Sequence, residues 1–171
     1  MSRTLSLLLP LLAVACTTEE DVITPCCAAT AVDTTVLTHF VACSDTSFHA
    51  WNDDDTIGLS VWMPGLLNRA DGGDHAWTGR VGELDTTATW ELGTQLSTAY
   101  CSDVISAVVT ESYQTGFGTL DVSVTAPSGV AGTATGTLNL SDIEFHGQNG
   151  EALGIQSFSF GELQIVTNWG G

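Results

Sequence analysis

The chain has no lysine. Its three basic residues are Arg3, Arg69 and Arg80, set against 20 aspartates and glutamates, for a formal net charge of −17. A nucleic-acid partner needs clustered cations to neutralise phosphates, and this chain cannot assemble such a cluster. Anionic lipid headgroups repel it for the same reason. A phosphate-cradling loop is excluded too, because no glycine stretch leads into G-K-[ST]. The charge favours solubility, and it leaves cations, neutral glycans and basic protein surfaces as suitable partners.

Local catalytic motifs are also missing. His39, His49, His75 and His146 form no H-x-H or H-E-x-x-H pair, so they read as ordinary core or surface residues. No G-x-S-x-G elbow presents a serine nucleophile. Carboxylate pairs for glycoside hydrolysis can be drawn anywhere among so many acids, so they carry no signal. The chain is therefore not expected to be an enzyme.

Long apolar runs are scarce. The one at the amino terminus, Leu5 to Val14 behind Arg3, is too short to span a bilayer and has the layout of a secretory signal peptide. Ala15 then precedes Cys16. A small residue directly before cysteine at the cleavage point resembles the lipobox of bacterial lipoproteins. Ala13 and Val14 depart from that pattern, and Leu12 stands one place too early. The resemblance covers residues 1–16 only. It implies cleavage after Ala15, a diacylglyceryl thioether on Cys16, an acyl group such as palmitate on the new amino terminus, and membrane attachment through the lipid. Thr17 in place of the aspartate that marks inner-membrane retention points to the outer membrane of the cell envelope. Cleavage removes Arg3 and no acid, which makes the mature chain one charge more negative.

Lipidation of Cys16 leaves Cys26, Cys27, Cys43 and Cys101, an even number in an exported chain, which favours disulfides. A bond between the neighbours Cys26 and Cys27 needs a strained ring. The expected pairing therefore ties each of them to Cys43 or Cys101. No C-x-x-C spacing supports a zinc site from the four.

Residues 16–32 read as a lipidated tether and residues 33–171 as a single domain of strands and turns. Ile57, Leu59, Val61 and Met63 alternate, as do Leu120, Val122, Val124 and Ala126. Leu138 and Leu140 alternate before the phase slips to Ile143 and Phe145, which predicts a bulge at 141–142. Asn149–Gly150 predicts a type I′ hairpin. Gly118–Ser123 echoes Gly136–Ser141, as sister strands of one hairpin would. The predicted fold is all-β: an antiparallel sandwich, with a barrel as runner-up and room for a short helix near residues 98–110.

Two features could carry binding. Asp53, Asp55, Asp71 and Asp74 lie in a three-aspartate turn and a D-G-G-D loop, whose oxygens suit Ca²⁺, although solvated turns favour the same residues. Trp62 falls out of phase with its apolar neighbours, and Trp77 follows the acidic loop. Either could offer a stacking platform for a glycan. The expectation is a binding or structural module needing no cofactor, with a Ca²⁺-assisted glycan- or protein-binding module as the alternative.

Overall fold

A computed structural model describes residues 29–43, 46–66, 73–101, 106–126 and 133–166. Cys16, Cys26, Cys27 and Asp71 lie outside them. The strands are β1 (Thr30–Ala31), β2 (Leu37–Cys43), β3 (Ser47–Asn52), β4 (Ile57–Trp62), β5 (Asp74–Arg80), β6 (Thr87–Thr94), β7 (Val108–Thr125), β8 (Thr133–His146) and β9 (Ala152–Val166). Among the described residues no helix is long and apolar enough to cross a membrane. Leu96–Ala99 is a single 3-10 turn, and the chain is already strand from Val108 onward.

The sheet does not split into a sandwich. β2, β3, β4, β6, β7, β8 and β9 pair in sequence, and β9 then pairs with β2 through Ala42–Ile165 and Cys43–Val166. A closed ring of seven strands results, a barrel, with β1 and β5 as additions. Closure removes the exposed edges that a sandwich would keep. The closing seam is parallel and the other ring pairs are antiparallel.

Two pieces of chain run along this ring with interruptions. Thr30 pairs with Leu153 and Ala42 with Ile165, so the offset between partners is the same at both ends. β1 and β2 are thus one strand laid along β9, broken where the intervening chain leaves it. β1 belongs to the far end of the expected tether, so that end is already part of the sheet. Likewise β5 and β6 both run antiparallel to β7, separated by the Val81–Thr86 excursion.

The predicted hairpins are present. Leu120 faces Leu140 and Val122 faces Leu138, so the two echoing segments are paired sisters. The phase slip is a bulge: Ile143 and Phe145 are buried while Ser141 and Asp142 are exposed, and Asp142 takes φ 52°. Across it, Gly118 sits at φ 145°, where an added Cβ would lie 2.8 Å from the Ile143 Cα. Only glycine permits that approach. The turn at 147–151 differs from the type I′ expectation. Gly150 N–H donates to the Gly147 carbonyl and Gly150 alone has positive φ, the pattern of a type I turn followed by a left-handed residue.

Alternation fills the barrel. Phe48, Leu59, Val61, Leu120, Val122, Leu138, Leu140 and Phe145 are at most 1% exposed and pack with Trp90 and Phe160. Apolar burial at about 25 cal/mol per Å² makes this interior the main source of stability.

Candidate functional site

Side chains of opposite phase to that core face outward, and strand register sorts them into rows. His39, Trp51, Gly58 and Glu91 stand side by side across β2, β3, β4 and β6. Val41, His49, Ser60 and Thr89 form the next row, and Cys43, Ser47, Trp62 and Thr87 the one after. Period-two alternation alone places all of them on one face.

After β6 the chain folds back over this face. Gln95 takes φ 56°, the 3-10 turn Leu96–Ala99 follows, and Leu96 is fully buried. Both Asp55 oxygens hold the turn, accepting from the Ser97 N–H and hydroxyl at 2.7 Å each. Cys101 is joined to Cys43 by a disulfide, with Cα atoms 5.5 Å apart. This corrects the expected pairing of Cys43 and Cys101 with Cys26 and Cys27. The cause is the fold-back, which sets Cys101 beside the end of β2.

The strap presses Tyr100 onto the sheet. Its ring stacks on His49 at a centroid distance of 4.5 Å and tilts against Trp51 at 5.8 Å. Its hydroxyl donates to Glu91 Oε2 at 3.0 Å. His49 Nδ1 and Ser60 Oγ are 2.9 Å apart. Burial pushes the His49 imidazole down to about 4, so it is neutral at physiological pH. Burial also raises Glu91, with the Tyr100 hydrogen bond pulling the other way. Tyr100 is driven well above its ordinary value by burial first and the Glu91 carboxylate second. The tyrosine is therefore a permanent donor to Glu91.

Gly58 makes the arrangement possible, since a Cβ there would lie 1.9 Å from the Tyr100 hydroxyl oxygen. Gly58→Ala should lose about 1–3 kcal/mol in urea unfolding by displacing the ring. In a Tyr100→Phe background the cost should shrink, because the clashing atom is gone. Equal costs in both backgrounds would show that the ring does not sit where it is described.

No family model, curated protein or solved structure matches the chain. What this site does has to be read from its own atoms. His49 and Ser60 touch, and the Tyr100 ring stacks on the imidazole. A depression of about 290 Å³ between Gly82, Thr86–Thr89 and Gln114–Gly116 has no titratable side chain in its lining.

The sequence-predicted site residues disperse. Asp55 is committed to Ser97. Asp53 accepts from Thr38 and lies 3.0 Å from His39 Nε2, and the Thr38 hydrogen bond, followed by His39, holds its carboxyl below the usual range. Asp74 accepts from Thr125 at 2.7 Å. The register puts the 53–55 turn near Glu111 and Asp74 beside Thr125, at opposite ends of β7. Roughly 45 Å of strand separates them. Trp62 is 47% exposed on the outer face, as its phase required. Trp77 packs against the core and is only half open.

His49, Ser60, Glu91 and Tyr100 escaped the sequence reading because they meet only once four strands and the strap are in register. One signal was available: Ser47, His49 and Trp51 alternate with Phe48 and Ala50, marking a second, polar-aromatic face on β3.

Proposed function

We propose that the chain is an exported, lipid-anchored β-barrel whose outer surface binds or braces a partner, with no chemistry of its own. The observation that carries this reading is the filled interior. Phe48, Phe145, Leu59 and Leu138 occupy the space where ligand-binding barrels keep a cavity, so recognition is left to the outside. There, among the described residues, Trp62 is the most exposed aromatic, 47% accessible. The Cys43–Cys101 bond supports an oxidising compartment, where such bonds persist. The anchor is Cys16, and the chain from there to Ala29 reaches at most about 45 Å. The net charge of −17 holds the body away from anionic headgroups and from nucleic acid, and suits a basic protein surface or a neutral glycan as partner. Cys16→Ala should move the protein from the membrane to the soluble fraction, or leave it as unprocessed precursor. Unchanged partition with unchanged mature mass would refute the anchor.

A second reading, the Ca²⁺-assisted glycan- or protein-binding module, is favoured by Trp62, whose open indole face suits sugar stacking. Its cation half is tested apart from its aromatic half. The excess of acids repels itself, so the melting temperature should rise with ionic strength whatever the salt. A calorimetric Ca²⁺ titration at constant ionic strength should show no heat, since Asp55 and Asp53 are already hydrogen-bonded locally. Millimolar Ca²⁺ heat that Asp55→Asn removes would overturn that expectation and establish the site.

A further inference from the structure

The disulfide on the outer face conceals a third donor beside it. Cys43 Sγ, Cys101 Sγ and a ring nitrogen of His49 all lie within 4.8 Å of one another. Among the described residues no other three histidine, cysteine or acidic side chains converge in this way. We propose that reduction of the Cys43–Cys101 disulfide turns these three side chains into a binding site for a thiophilic zinc-type ion, so that the oxidised chain is the closed form of a metal site.

The donor set is the first support. Two thiolates and an imidazole, with water in the fourth position, suit tetrahedral Zn²⁺. Zinc–sulfur bonds of about 2.3 Å set the two sulfurs about 3.8 Å apart, with the nitrogen about 3.5 Å from each. Cα atoms 5.5 Å apart allow this by rotation of the two cysteine side chains. The surroundings are the second support. Cys43 is 4% exposed at the end of β2, and His49 is fixed by Ser60 on one side and the Tyr100 ring on the other. Metal-bound imidazoles are oriented by such hydrogen-bond partners. The strap itself is held by Asp55 on Ser97 and by Tyr100 on Glu91, so Cys101 stays near Cys43 when the sulfur–sulfur bond is gone.

The opening step needs a reductant of the dithiol class. Its thiolate attacks the Sγ of Cys101, the less buried of the two residues, and Cys43 leaves as thiolate. The second thiol of the reductant then resolves the mixed disulfide. The dithiol is oxidised to its own disulfide, and its two electrons and two protons end on Cys43 and Cys101. Zn²⁺ binding expels the two thiol protons to water.

The test uses the full chain carrying Cys16→Ser, Cys26→Ser and Cys27→Ser, which leaves Cys43 and Cys101 as the only thiols. After phosphine reduction, Co²⁺ should bind one per chain with a thiolate-to-cobalt charge-transfer band, and Zn²⁺ should displace it. The oxidised chain should bind neither. His49→Gln should weaken Zn²⁺ binding by more than about 100-fold, beyond the loss of a mere orienting partner. X-ray absorption of the same Zn²⁺-loaded reduced chain needs no substitution at His49, and should count two sulfurs near 2.3 Å and one imidazole nitrogen. Absence of Co²⁺ binding after reduction, equal binding by the oxidised chain, or a zinc shell without nitrogen would each overturn the proposal. So would a reduced chain that unfolds and is not refolded by Zn²⁺.

Discussion

Reducing the Cys43–Cys101 disulfide under chelating conditions should lower the free energy of unfolding by about 4 kcal/mol. The bond closes a loop of 58 residues. Opening it returns to the unfolded chain the entropy that closure of such a loop removes, about 4 kcal/mol at 25 °C. That loop carries β3, β4 and β6 of the barrel together with β5, so the effect belongs to the whole domain and not to the strap alone. The measurement is urea denaturation of oxidised and reduced chain in a Cys26→Ser, Cys27→Ser background, so that a single bond is compared. Hydrogen exchange should at the same time rise first at residues 95–101, which lose their covalent tie while β7, β8 and β9 keep their ladders. A loss below about 1 kcal/mol would show that this disulfide does not restrain the unfolded chain.

Acid should weaken the fold well before its carboxylates titrate, and His49 is the reason. Its folded value of about 4 lies below the ordinary 6.5, because burial penalises the imidazolium. The unfolded chain therefore takes the proton first. Stability from this group is complete above pH 6.5, declines as pH falls, and is fully lost below about pH 4. A gap of this size corresponds to about 3 kcal/mol. The groups around His49 are Ser60, Tyr100 and the Cys43–Cys101 sulfurs, with Glu91 behind Tyr100. Glu91 acts in the opposite sense. Its folded value is raised, so the folded state takes that proton more readily and recovers some stability as pH falls through it. The fall from His49 should thus be steepest midway between pH 6.5 and 4, with Glu91 offsetting part of it at the acid side. His49→Gln should remove the slope that sets in below pH 6.5. An unchanged slope in the variant would assign the acid response to other groups.

Much of the carboxy-terminal half was legible in the sequence. Leu120, Val122, Val124 and Ala126 alternate and are buried, and the slip after Leu140 is a bulge at the predicted place. Such signals are local: side chains two apart share a face whatever happens elsewhere. The choice between sandwich and barrel was not local. It turns on two pairings between β2 and β9, Ala42 with Ile165 and Cys43 with Val166, and no neighbouring residue announces them. β2 is apolar in both phases, at Leu37, Phe40 and Val41, a pattern that suits a strand covered on both sides. In the fold Leu37 and Ala42 are buried in the core, while Phe40, in the same phase as Ala42, stays 38% exposed against Phe158 and Phe160. The cysteine pairing and the His49 cluster failed for the same reason as the closure, since both depend on a strap laid across strands far away in sequence.

The parallel seam also sets an order of events. β7, β8 and β9 are joined by short connections and can zip as they emerge. β2 has only β3 beside it until Ile165 and Val166 arrive. Pairing across such a separation is slow, because the loop must close before any contact rewards it. A chain released amino end first therefore stays an open ribbon until β9 arrives, first at Leu153 beside β1 and last at Ile165 beside β2. A chain cut short before Ile165 would keep β2 without its second neighbour for good, and would present that bare edge to other copies of itself.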